Sequence, residues 1–222
     1  MLQKTSGIVF RFTKFGDTSI IVNVFTELFG LQSYIVNGVR TSSAKGKIAL
    51  YQPLTLLDMV VYYKENAQVK RIKEVKCLHQ YHSLYNDVKK SAIAMFINEL
   101  LNKAVKDESH AQELYSFISS SLIALDDAEH GYENFHLIFL IKLSRLLGFG
   151  AHESMEVLSG RLADARVEST LQELMLADYT SNLSISINQR REILDLLLRF
   201  YKEHLDSLGE FKSIAVLKEM FN

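Results

Sequence analysis

Two hydrophobic periodicities meet near residue 80. Before it, apolar side chains alternate with polar ones or run in short β-branched and aromatic stretches: GIVFRF, SIIVNVF, SYIVNGV, LTLLDMVVYY and VKRIKEV. Each is about one strand long, and turn material separates them: KFGDT, ELFG, the loop NGVRTSSAKGKIALYQPL at 37–54, and KENAQ. Five strands within the first 80 residues are too few for a two-sided sandwich, and a small closed or partly closed barrel protects their edges. The count fits an OB-like barrel and equally an SH3-like one. Pro53, the single proline, is expected to mark a strand start, where its missing N–H is tolerated.

From residue 83 the period becomes helical. Ile93, Phe96, Ile97, Leu100, Leu101, Ala104 and Val105 fall at i, i+3, i+4, i+7, i+8, i+11 and i+12, one apolar stripe of an amphipathic helix. A second helix is expected from SHAQ, where Ser109 and Gln112 have capping-box spacing, and a third from Tyr132 to Leu147, apolar nearly all round and stopped by Gly148. Further on, a helix is expected from Ser169 to Ala177, LSISI reads as a strand or an extended connection, and QRREILDLLLRFYKEHL is strongly amphipathic. GEFKSIAVLKEMF forms a last helix, with Ser207 and Glu210 at its start. The expected architecture is α+β: residues 1–80 a five-stranded barrel, residues 81–222 an all-α bundle.

Charge sharpens this division. Residues 1–80 hold 11 Lys+Arg against 5 Asp+Glu, and residues 81–222 hold 14 against 21, so a net charge of −1 hides a basic barrel and an acidic helical half. A basic half attracts nucleic acid or an acidic partner. One cysteine rules out an internal disulfide framework and fits a reducing compartment. The N-terminal stretch lacks the basic and apolar regions of a signal peptide, and FHLIFLIKLSRLLGF is too short to span a membrane, so a soluble cytoplasmic protein is expected.

Candidate chemistry is sparse. Cys77, His79 and His82 are the densest group of potential ligands, but zinc prefers four ligands in two separated pairs and no second pair is visible. No G-x-S-x-G, P-loop or G-x-G-x-x-G is present, so neither an enzyme nor a cofactor is expected. Binding is better provided for. Single-strand binders combine a positive groove with aromatic faces. Arg11 and Lys14 flank the first turn beside Phe10, Phe12 and Phe15. The 37–54 loop adds Arg40, Lys45 and Lys47, and the fifth strand adds Lys70, Arg71, Lys73 and Lys76. Such a set predicts salt-sensitive, sequence-tolerant binding of single-stranded nucleic acid, with an RNA-binding OB accessory factor as the alternative to a DNA protein.

The order GDTSIIVNVFTELFGLQSYIVNGVR, a basic loop, LYQPLTLLDMVVYY, and a helical half containing LSRLLGFG and LDLLLRFYKEHL resembles the RecO family of bacterial recombination and repair mediators over nearly the whole chain. The resemblance implies an OB barrel before a helical domain, binding of single- and double-stranded DNA, and annealing of complementary strands. It also implies contact with the acidic C-terminal tail of single-stranded DNA-binding protein (SSB), help with RecA loading together with RecR, and a bacterial, nucleoid-associated location. Many such chains carry a four-cysteine zinc module after LLGFG. Residues 149–222 here hold no cysteine, so no zinc module is expected. A pocket for the SSB tail pairs apolar walls with a cation, which points to Lys142 and Arg145 on the most apolar helix.

Overall fold

The alternating stretches close into a barrel in the computed structural model of the chain, which describes residues 1–41, 46–106, 110–160, 164–206 and 208–221. The strands are β1 (Leu2–Phe15), β2 (Ser19–Thr26), β3 (Gly30–Val36), β4 (Leu56–Tyr62) and β5 (Lys70–Cys77), joined in the order β1-β2-β3-β5-β4 and back to β1. β1 is long enough to pair with both β4, through residues 2–8, and β2, through residues 7–15. The β1–β2 register shifts between Val9 and Arg11, a bulge that bends the strand between its two partners. β3 and β5 run parallel and meet only at Tyr34–Lys70 and Ile35–Arg71, so this seam is the shortest ladder of the barrel.

Alternation fills the interior with Val9, Ile20, Val22, Val24, Tyr34, Leu57, Met59 and Val61. In β5 the inward residues are Ile72 and Val75, three apart, because the ladder to β4 shifts between Val60 and Val61 and Lys73 bulges out of it. Gly7 is required by packing: a Cβ there would lie 2.5 Å from Val24 Cγ1 and 2.7 Å from Met59 Cε.

The loop after β3 is more structured than its composition predicts. Val39 and Tyr51 are buried in the barrel core, and Lys47–Tyr51 forms a 3-10 helix. Pro53 does not begin a strand. It sits one residue into a turn closed by Thr55 N donating to Gln52 O at 3.1 Å, three residues ahead of β4. The next position needs a positive φ, and Leu54 supplies it at 68°, held by burial of its side chain and by its N–H to Val9 O.

Among the described residues there are seven α-helices: α1 (Val88–Ala104), α2 (Ala111–Asp127), α3 (Phe135–Leu146), α4 (Ser154–Leu158), α5 (Ala165–Leu176), α6 (Ile187–His204) and α7 (Ser213–Met220). By packing, the chain forms two units, Met1–Tyr81 with Val105–Leu122, and His82–Ala104 with Ile123–Asn222. Within the first, Tyr115 of α2 hydrogen-bonds Ser6 of β1. Within the second, α3 is buried along most of its length, as its nearly all-round apolar character predicts.

Four helix starts differ from expectation. α3 begins at Phe135, since residues 132–134 form a 3-10 turn ahead of it. α5 begins four residues before Ser169, because Asp164 accepts the N–H of Arg166. α6 is capped by Ser186, whose side chain and that of Gln189 form a reciprocal box. α7 starts at Ser213, after Glu210. Its cap comes from α1, where Glu99 accepts Lys212 N, Ser213 N and the Ser213 hydroxyl. Ser207 and Ser109, both expected at helix starts, lie outside the described residues. Of LSISI, residues 183–186 are a connection without a ladder, and Ile187 is already the first residue of α6.

Candidate nucleic-acid interface

Directly paired residues on adjacent strands face the same side of a sheet, so the registers assemble the outer wall of the barrel. One outward row runs Thr13, Ile21, Ile35, Arg71, Tyr62 across β1, β2, β3, β5 and β4. Beside it lies Arg11, Asn23, Ser33, in which Asn23 Nδ2 donates to Ser33 Oγ at 3.1 Å. Arg11, Thr13, Arg71 and Tyr62 are exposed, and Ile21 and Ile35 are half-buried. The wall therefore places apolar Ile21 and Ile35 between Arg11 on one side and Arg71, followed by Tyr62, on the other.

A second region of the wall is electrically balanced. There Lys4, Val60 and Glu74 form one row and Ser6, Asp58 and Lys76 the next. Asp58 lies 3.6 Å from Lys4 Nζ and 3.1 Å from Lys76 Nζ, so these two cations are already paired.

The expected nucleic-acid residues divide accordingly. Arg11, Lys14, Lys47, Arg71 and Lys73 are exposed on the barrel, with Lys73 lying 3.4 Å from Glu74. Arg40 is half-buried and has other work: its Nη1 donates to Gly16 O at 3.0 Å and Ser19 O at 3.3 Å, and its N–H to Thr18 O, so it clamps the β1–β2 turn. Lys45 lies outside the described residues. Lys70 is only 7% exposed. Its Nζ donates to Gln32 Oε1 at 2.6 Å and Ala67 O at 2.9 Å and lies 5.4 Å from the Tyr63 ring, which stacks on Phe29. The reason is parity: Lys70 pairs with inward Tyr34 and Arg71 with outward Ile35, so neighbours in the sequence point to opposite sides of the wall. Lys70 is a latch across the β3–β5 seam, its ammonium held by Gln32 and Ala67.

Nothing in the sequence marks Ile21, Ile35 and Tyr62 as facing outward. Strand registration was the missing information, since composition favours lysine and arginine and says nothing about which apolar residue faces out.

Cys77, His79 and His82 do not gather as ligands. The Cys77 thiol donates to the His79 carbonyl at 3.0 Å and the His79 ring lies edge-on to Tyr81. Among the described residues no group of three or more His, Cys, Asp or Glu is placed to hold a metal ion. No helix among them is long and apolar enough to cross a membrane.

In the helical unit, Arg145 and Lys142 part company. Arg145 lines a groove of about 590 Å³ together with Glu153, Met155, Glu168, Met175 and Leu176, and its Nη2 donates to the Met175 carbonyl at 2.9 Å. Gly150 lets the chain pass this closely, since a Cβ there would lie 2.4 Å from Arg145 Cγ. Leu176 is 90% exposed at the groove's edge. Lys142 is outside the lining, 5.9 Å from the ring of Tyr179.

Comparison with known proteins adds independent findings. The family description Recombination protein O N terminal matches residues 1–81, and Recombination protein O C terminal matches residues 85–176. A protein of Bacteroides fragilis named DNA repair protein RecO is 34% identical to this chain, with all of both chains covered. Proteins of the same name from Phocaeicola vulgatus and Flavobacterium psychrophilum are each 32% identical, again over the full length of both chains.

Proposed function

We propose a function that starts from kinship: the chain belongs to the RecO family of DNA repair proteins, and its barrel binds single- and double-stranded DNA without regard to sequence. The observation that carries this reading is the outward band from Arg11 to Arg71 and Tyr62, joined on the same barrel by exposed Lys14, Lys47 and Lys73. Phosphates need only positive charge within reach, and bases need flat or apolar surface. The protein anneals complementary strands by lowering the repulsion between them, without bond chemistry, catalytic residue or cofactor. It acts in the bacterial cytoplasm, at the nucleoid.

The helical residues serve protein partners. The groove takes an acidic peptide that ends in apolar side chains, such as the SSB tail, through Arg145 and the apolar Met155, Met175 and Leu176, with the peptide's carboxylates kept to the Arg145 side, away from Glu153 and Glu168. Docked there, the protein reaches SSB-coated strands and, with RecR, assists RecA loading. Lys142 drops out of this assignment because it faces Tyr179.

The test is annealing of complementary oligonucleotides coated with cognate SSB, with and without the protein, alongside competition of labelled single-stranded DNA by RNA of the same sequence. Accelerated annealing and no preference for RNA are expected. A clear preference for RNA would instead favour an RNA accessory factor, since the same cations and rings accept either backbone.

A further inference from the structure

We propose that Tyr62 is a base-stacking residue and that its ring makes the barrel wall favour single strands over duplex. The inference rests on the reading that the barrel binds DNA, and adds to it the residue that discriminates between two forms of the ligand.

β4 ends at Tyr62, and its alternation sends Val61 wholly into the core while leaving Tyr62 49% exposed on the wall. The ring is flanked at the same level by exposed Leu2 of β1 and exposed Arg71 of β5, with Ile35 of β3 beyond Arg71. An aromatic face is thus bordered by an aliphatic side chain on one strand and a guanidinium on the next. This is the local composition that holds a base against a ring while a cation meets its phosphate.

The adjacent tyrosine shows what Tyr62 is not used for. Tyr63 stacks on Phe29 with ring centroids 4.0 Å apart and receives the Lys70 ammonium, so the aromatic packing at this end of the barrel is already supplied. The surroundings of Tyr62 are also held in place. Lys70 ties the start of β5 to Gln32 and Ala67, which fixes Arg71 beside the ring, and Tyr63 N donates to Met1 O at 2.9 Å.

Cations alone favour duplex, because duplex presents phosphates at higher density than a single strand. A ring acts the other way. Bases in a duplex have their faces covered by neighbours, whereas an unstacked base can lie on Tyr62. The preference conferred by Tyr62 is therefore independent of salt, and that separates it from the contribution of Arg11, Lys14 or Arg71.

The experiment compares the parent, Tyr62→Ala and Tyr62→Phe for affinity to a single-stranded oligonucleotide and to a hairpin duplex, at two salt concentrations. Tyr62→Ala is expected to weaken single-strand binding about 10-fold, within the range for removal of a stacking ring, with duplex binding and salt slope unchanged, and Tyr62→Phe to restore it. In addition, Tyr62→Trp installs a lone tryptophan, as the chain has none, and its emission is expected to be quenched by the single strand but not by the hairpin. Equal loss on both ligands, no loss on the single strand, failure of Tyr62→Phe to restore binding, or an unquenched tryptophan would overturn the proposal. Failure of the parent to bind either ligand would overturn the DNA-binding reading beneath it, a result distinguishable from all of these.

Discussion

Replacing Asp126 with alanine should remove one of the main fastenings of the helical unit. Near the end of α2 its Oδ2 accepts His82 N at 2.9 Å, and its Oδ1 accepts Ser83 N at 2.8 Å and Leu84 N at 2.7 Å. Its carbonyl accepts the Ser83 hydroxyl at 2.6 Å and the buried Lys90 ammonium at 2.7 Å. Alanine keeps that carbonyl and strips the acceptor from three backbone N–H groups. An unsatisfied buried donor costs about 1–3 kcal/mol. Leu84 is fully buried and stands at the upper end, while the amides of His82 and Ser83 recover part of their loss from water, for a total of about 4 kcal/mol. With a urea m-value of about 2–3 kcal/mol/M, the midpoint falls by about 1.3–2 M. Asp126→Asn keeps one oxygen and should lose about half as much. Burial pushes this carboxyl's pKa up, but the backbone donors and Ser83 outweigh it and leave it lowered. The stabilisation is therefore present above the unfolded value of about 4 and is lost as pH falls through the lower folded value. Urea titrations of the three proteins, followed by far-ultraviolet circular dichroism at pH 7 and at pH 3, check this. An alanine variant within about 0.3 M of the parent at pH 7 would refute the reasoning.

Three further perturbations probe other parts of the account. Gly7→Ala forces a Cβ against Val24 and Met59 and should cost about 1–3 kcal/mol of barrel stability, read by thermal unfolding. Lys70→Met leaves Gln32 Oε1 and Ala67 O without their donor and should destabilise by about 1–3 kcal/mol, yet leave the salt dependence of DNA binding unchanged, which separates a latch from a phosphate contact. His136 is fully buried between Phe96 and Phe221, and burial, reinforced by Arg190, pushes its pKa down to about 3. Protons thus bind the unfolded chain first, and stability should fall by about 1.4 kcal/mol per pH unit below about 6.5, down to the folded value. In His136→Leu that decline should be absent from stability curves between pH 6 and 4.

The barrel was legible in the sequence because strand periodicity is local: Ile20, Val22 and Val24 announce an inward face by themselves. The charge split was legible for the same reason. What failed was whatever depended on a partner far along the chain. Glu99 caps α7 from more than 100 residues away, so the start of that helix was sought in Ser207 and Glu210. Arg40 looked like a free cation until the β1–β2 turn supplied carbonyls for it. The division between Lys70 and Arg71 was partly readable, since adjacent strand residues cannot share a face. Which of the two points inward required the register with Tyr34 and Ile35. In the helical half, Arg145 and Lys142 shared a helix in the sequence, and only the paths of residues 150–155 and 175–179 separated their surroundings.

The central claim is that the barrel holds DNA through Arg11 and Arg71 of its wall and the exposed Lys14, Lys47 and Lys73, and it is tested most directly by salt dependence. Single-strand affinity should be measured from low to physiological salt for the parent and for a variant with all five changed to alanine. Each phosphate contact contributes a slope of about 0.7 in log K against log salt for single strands. The account predicts that the variant's slope is shallower by up to about 3.5. A variant that binds with the parent's slope would place the DNA elsewhere and contradict it.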